Sequence, residues 1–266
     1  MKKTLIYNAV FTALPFLLLA QSSPSTVVRQ LPPQSTAIKG VLVPVPREIF
    51  DTLDKFAHSN WHAVQRPELA ERRPRGDQAD TALLLGVVIA EGFIAVEAED
   101  AAEVKSVGRA VIKLARGLGV EKAALRRSRS IVDHAERGDW PGVRKEWDGV
   151  LPDVQRGMNE LQSEELARLV SLGGWLRGAE ALAVLVSQNY SNQNAELLRQ
   201  PALLDHFEMR LSQMTGEIRA SPMIPRMREG MQKVKPLIAS EDAQISKRKV
   251  KEIAGIAAEL IKGLGR

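Results

Sequence analysis

Cysteine is absent from the 266-residue chain. That excludes disulfides, thiolate-bound metals, iron–sulfur clusters and a cysteine nucleophile. Aromatic residues are scarce, at 5%, so a stacking platform for sugars or bases is not expected. A surplus of one charge is missing too: 37 Lys and Arg face 32 Asp and Glu, a net +5 to which Lys2 and Lys3 contribute two. Nucleic-acid binding needs a concentrated basic stripe and is not expected here. No stretch alternates apolar and polar residues convincingly, so strands are not expected either. There is no Gly-x-Ser-x-Gly elbow and no P-loop, and Gly117-Leu118-Gly119 lacks the third glycine of a dinucleotide site. None of the four histidines follows an acid at the Glu-x-x-His spacing of a di-iron bundle. No cofactor is expected, and these absences weigh against an enzyme.

What is present begins with an export signal. Lys2 and Lys3 form a positive n-region, and a largely apolar run follows from Leu5 to Ala20. Leu18 and Ala20 fit a −3/−1 cleavage pair, which makes Gln21 the first mature residue. The rival reading is an uncleaved anchor helix. The run is short for a bilayer and carries Pro15 near its centre, which favours cleavage. No lipidation cysteine follows, so a lipoprotein is excluded. Residues 21–46 are rich in Ser, Thr, Gln and Pro and read as a flexible linker. Val41–Val45 is expected to lie extended at its end.

From residue 47 to 266 the apolar period is helical. The pattern predicts an all-α domain, one multi-helix bundle of about nine or ten helices of ordinary length. Asp80 is expected to cap an apolar helix over 82–98. Asp100 and Glu103 make a capping-box-like start for the next, which carries Val104, Val107, Val111, Leu114 and Leu118 inside. Val143, Trp147, Val150, Val154, Met158 and Leu161 mark a helix that Pro152 should kink or split. Ser163 precedes a long helix, 164–189. A further helix should break near Pro236, and the last should run from Ser240 to about Leu264.

Two segments, 82–98 and 172–186, are apolar nearly all round, the mark of helices at the centre of a bundle. Both contain glycine in mid-helix, which costs roughly 1 kcal/mol relative to alanine. Gly86, Gly174 and Gly178 are therefore expected at a close crossing of these two helices. Leu85-Gly86 and Leu172-Gly173, each leading into apolar helix, hint at a diverged repeat of helical hairpins. Ala82-Leu83-Leu84-Leu85-Gly86-Val87 and Leu172-Gly173-Gly174-Trp175-Leu176-Arg177-Gly178 also resemble segments of a family of exported all-helical bacterial proteins, often lipoproteins. The resemblance spans about residues 80–215. It implies a helical fold and an exported location, and it brings no catalytic residue.

Glu91 and Glu180 each interrupt an apolar run, where a carboxylate must be paired, hydrogen-bonded, protonated or wet. Arg177 lies one turn before Glu180 and in reach of Glu91 across the crossing. One reading is a buried ion pair that fixes helix register. The other is a polar pocket in which Glu91, Trp175, Arg177 and Glu180 bind a ligand. His58 and His62, at i and i+4 with Asp54 a turn earlier, form a weak metal candidate without a third ligand; the alternative is two surface histidines. Arg126, Arg127 and Arg129, and Lys247, Arg248, Lys249 and Lys251, read as solvated faces or as contacts to anionic envelope polymers or lipid headgroups. Three functions remain open: a non-enzymatic exported binding or envelope-support protein, a small-ligand sensor or enzyme at the Glu91/Arg177/Glu180 site, and a membrane-surface protein acting through its basic C-terminal helix. The partner and the oligomeric state are not legible.

Overall fold

Residues 36–38, 41–43, 54–56, 59–239 and 244–266 are described by the computed structural model of the protein. They belong to one unit, Pro33–Arg266. The expected leader, residues 1–20, lies outside the described residues, as do most of the 21–46 linker and His58. Where an extended segment was expected, Val41–Val43 (β2) pairs antiparallel with Thr36–Ile38 (β1), Ala37 opposite Leu42. This ribbon is the only β structure among the described residues.

The rest is helical. Among the described residues nine helices have eight residues or more: α1 Gln78–Glu97, α2 Ala101–Gly117, α3 Ser128–Glu136, α4 Trp140–Trp147, α5 Val150–Glu160, α6 Glu164–Gln188, α7 Pro201–Ser212, α8 Met223–Ile238 and α9 Lys247–Lys262. The expected all-α bundle with two central apolar helices is what forms. Every position of α1 from Ala79 to Val96 is buried, and α6 is buried over most of its length. Both are long and apolar enough to cross a membrane, and both turn that surface inward. The α1–α6 pair forms the middle of this unit. α2 packs on α1, and α9 packs on α6.

Local chemistry explains most boundaries. Asp100 caps α2 by accepting the Glu103 amide at 3.0 Å, as its spacing suggests. The cap of α1 is Asp77 rather than Asp80: its Oδ1 accepts the Asp80 amide at 2.7 Å, so the helix begins four residues earlier than the apolar run. The break between α4 and α5 falls at Asp148–Gly149, and Pro152 sits in the first turn of α5, where a missing N–H is harmless. Pro236 does not break α8, which continues to Ile238. α9 starts at Lys247 with Ser246 as cap, seven residues later than expected. Leu161, expected inside, is 54% exposed.

A clasp joins two distant segments. Arg72 Nη1 donates to the carbonyls of Ile261 (2.7 Å) and Leu264 (2.9 Å). Arg73 and Arg266 exchange backbone hydrogen bonds at 3.1 and 2.9 Å. Buried Asp80 accepts the amides of Arg75 and Gly265, each at 3.1 Å. Gly265 has φ +62, and a Cβ there would stand 2.9 Å from the Arg73 carbonyl, so glycine is required on both counts. Arg75-Gly76-Asp77, which matches an adhesion tripeptide, is consumed by this region: Asp77 is a helix cap and Arg75 Nε binds the Gly265 carbonyl at 2.7 Å.

The central crossing is closer than side chains would allow. A Cβ on Gly86 would lie 2.0 Å from the Val170 carbonyl oxygen, and one on Gly173 would lie 2.1 Å from that of Leu83. The two Leu-Gly steps noted in the sequence therefore meet backbone to backbone. Gly174 lies beside Gly86 with its own Cβ position 3.5 Å from the Gly86 carbonyl, while Gly178 has nothing within 4 Å and takes no part. Gly86→Ala and Gly173→Ala should each destabilise the protein by about 1–3 kcal/mol through overpacking. Gly178→Ala should be neutral or stabilise by up to about 1 kcal/mol. Urea unfolding of the three variants separates them; equal effects at 173 and 178 would contradict this account.

Candidate functional site

Beyond the glycine contact, the pairing of α1 with α6 brings Glu91 opposite Arg177. Both side chains have no exposed surface. Arg177 Nε donates to Glu91 Oε2 at 2.7 Å, its Nη1 binds Glu180 Oε2, and its Nη2 donates to the Val64 carbonyl at 2.6 Å. The second oxygen of each acid is held by Arg66. The Arg66 backbone amide donates to Glu91 Oε1 at 2.6 Å, and its Nη2 donates to Glu180 Oε1 at 2.7 Å. The two carboxylates, the Arg177 guanidinium and Arg66, through its backbone amide and its guanidinium, thus form a closed ring. Arg66, at 43% side-chain exposure, is its solvent-facing member.

Chemically, the ring is occupied. Each of the four carboxylate oxygens already accepts a short charge-assisted bond from Arg66 or Arg177. A buried pair of this kind adds little net stability against apolar residues of equal volume, but it penalises every register that separates its members. Of the four residues read as a ligand site, the structure brings together Glu91, Arg177 and Glu180. Trp175 is not with them: two residues before Arg177, it faces away. Its Nε1 donates to Gln200 Oε1 at 3.0 Å, and its ring lies 5.4 Å from that of Phe207. Sequence reasoning missed Arg66 and Val64. They sit in a charged loop segment with no periodicity, and nothing local marks Arg66 as the cap of a core cluster.

His62 is 64% exposed and approaches Gln65 Oε1 at 3.0 Å and Asp100 Oδ2 at 3.9 Å. Its expected partner His58 lies outside the described residues, and among those described no three His, Asp or Glu side chains form a metal cluster.

A second buried acid corrects the reading of one basic run. Asp153, 2% exposed, accepts Arg127 Nε at 2.9 Å, Arg156 Nη1 at 3.0 Å and Arg126 Nη1 at 3.4 Å. Arg127 also binds Glu146 at 3.0 Å. Arg126 and Arg127 are therefore structural neutralisers, whereas Arg129, 96% exposed, has a loose surface approach of 4.0 Å to Asp133. The signal was available: Asp153 occupies an inward position between Val150 and Val154.

Glu97, at the end of α1, has a strongly displaced ionisation. Burial pushes its carboxyl up to about 7, while Arg144, 3.0 Å away, pulls it down. Arg144 is shared with Asp54 at 2.6 Å, and the charges of Asp54 and Glu99 push Glu97 further up.

Truncating Arg177 to Met should cost about 3–5 kcal/mol, because two carboxylates are left short of a counter-charge in the core. A triple variant with Glu91→Leu, Arg177→Met and Glu180→Leu should recover part of that loss. The remaining deficit reflects the Arg66 amide and Val64 carbonyl, whose partners are gone, at about 1–3 kcal/mol each. Urea unfolding tests both; a single-variant loss under about 1 kcal/mol would mean that water already reaches the ring.

Glu97 gives a pH dependence of fixed sign. From about pH 4.5, where the unfolded chain ionises, to about 7, the folded state keeps a proton that the unfolded state has lost. Stability from this group therefore falls as pH rises through that window and is level above it. Glu97→Gln should flatten the fall and leave the variant more stable at alkaline pH by about 1 kcal/mol, after solvent screening. Thermal melts across the window measure it.

The chain matches no protein-family model, no curated protein and no solved structure. The roles of Glu91, Arg177, Glu180 and Arg66 rest on the contacts above.

Proposed function

We propose that the protein is an exported, non-enzymatic helical protein that binds at, and supports, an anionic cell envelope. The observation that carries this reading is the closed ring. The acids and arginine that the sequence marks for chemistry hold one another, and Arg66 is the ring member that faces solvent. Export is supported by Lys2, Lys3 and the apolar run to Ala20, and by the resemblance to exported helical proteins over about residues 80–215.

Contact with an anionic surface is supported by the start of α9. Lys247, Arg248 and Lys251 are exposed and Lys249 is half-buried. No acid stands in the first turn to offset them. Cations there oppose the positive end of the helix dipole, so their placement lowers helix stability. The apolar face of α9, with Val250, Ile253, Ala257 and Ile261, is buried. Surface contact is therefore electrostatic, without insertion of an apolar face.

Secretion from a bacterial host followed by N-terminal sequencing should give a mature chain that begins near Gln21. A chain that still starts at Met1 and fractionates with membranes would defeat export with cleavage. The purified mature protein should sediment with envelope fragments at low salt and be released at about 0.5 M salt, where the Debye length is under about 5 Å. Replacing Lys247, Arg248, Lys249 and Lys251 by Glu should abolish sedimentation without loss of helix content. Sedimentation that resists salt and charge reversal would overturn the electrostatic reading.

A further inference from the structure

A cavity of about 240 Å³ lies between α2 and α3, with Trp147 and Val150 at its floor. None of the ring's members, Arg66, Glu91, Arg177 and Glu180, lines it, although Trp147 packs on α1 beside Gly92 and donates to the Ile89 carbonyl at 3.1 Å. Its walls are aliphatic: Val104, Ile112 and Ile131 are typical. The one hydroxyl on it, Ser128 Oγ, is already committed to the Leu125 carbonyl at 2.9 Å. Apart from the charged Lys105, Arg109 and Glu136, an occupant therefore meets apolar walls, which disfavours sugars and other ligands polar along their length.

The mouth has a different chemistry. Lys105 Nζ crosses from α2 to Glu136 on α3 at 2.8 Å and closes a neutral pair at one side. One turn further along α2 stands Arg109, which also lines the cavity and is exposed. No described group pairs with it. The opening thus carries one uncompensated positive charge above an apolar hollow.

Between Lys105 and Arg109 sits Gly108, in mid-helix. Glycine is the least favourable residue there after proline. At Gly86 and Gly173 a backbone neighbour explains the choice. At Gly108 a Cβ would meet nothing within 4 Å, so packing does not require glycine. What Gly108 does is leave the hollow open at the point where a side chain would enter it.

We propose that this cavity binds a medium-chain alkyl carboxylate, with the chain on the Val104–Ile131–Trp147 walls and the carboxylate on Arg109. The volume, below the roughly 300–1,000 Å³ of pockets for drug-sized ligands, suits a medium rather than a long alkyl chain, and octanoate is the probe of that class. The guanidinium matches a carboxylate in charge and in its forked geometry. Recognition is independent of export and of the basic start of α9, so it stands or falls separately from the envelope-binding reading.

Isothermal titration of the purified full chain with octanoate and with octanol, both below micelle-forming concentration, tests it. Saturable 1:1 octanoate binding is expected, with octanol about fivefold weaker or worse because it lacks the charge. Arg109→Glu should weaken octanoate at least about tenfold and leave octanol within about twofold. Gly108→Leu should abolish binding of both while thermal midpoint and helix content hold, since the added side chain enters open space. No saturable binding to the wild-type chain would overturn the proposal. So would binding that survives Gly108→Leu, or octanoate affinity indifferent to Arg109→Glu. Because Arg109 is exposed, its variant remains informative even if Gly108→Leu fails to fold.

Discussion

The close approach of α1 and α6 governs the rest of the molecule. Two helices that are apolar nearly all round can be satisfied only by burial on every side, so other elements must cover them. Gly86 and Gly173 bring the backbones together at a separation that a single methyl would prevent. At that distance Glu91 and Arg177 cannot avoid each other, and no water layer fits between the helices to solvate them. The charged ring is the electrostatic result of a steric decision. Once it forms, Arg66 and the Val64 carbonyl must come in to complete it, which draws the 61–67 segment over the helix pair.

The same logic repeats at a smaller scale around Asp153. There too an acid sits on the inner face of a helix, and arginines from a neighbouring segment are drawn to it. In both clusters the acid comes from a regular helix and part of the neutralising charge from a less regular stretch. Around Arg66 the arrangement adds polar ties to a segment that Trp61, Val64 and Leu69 already anchor in the core. It makes the fold specific more than it makes it stable, since desolvation offsets most of the Coulomb gain.

Much of this was legible in the sequence, and the limits have physical causes. Periodicity located the central helices, because burial on all sides leaves an unbroken apolar run. Glycine in those runs announced the close crossing, and Glu91, Arg177 and Glu180 stood out as charges with nowhere to go. Spacing alone could not say which glycines touch: Gly173 does and Gly178 does not, a difference of rotation about the helix axis that tertiary packing sets. Trp175 looked adjacent to the ring because it is adjacent in sequence, but two residues turn it well round the helix. Arg66 was invisible because its role depends on a loop path. Gly108 was passed over because an open glycine in an amphipathic helix looks like any other until the space beside it is known.

The clasp between the Arg72–Asp80 region and the Ile261–Arg266 region has a consequence for time rather than for energy. Its bonds join residues up to 192 positions apart, so the two segments meet only after the whole stretch between them has been made. A growing chain cannot seat the start of α1 in its final surroundings until residues 261–265 have been made. Contacts of such long range are slow to form, because the entropy of closing the loop must be overcome before they repay it. Until residues 261–265 have been made, Arg72 and Asp80 therefore lack these partners.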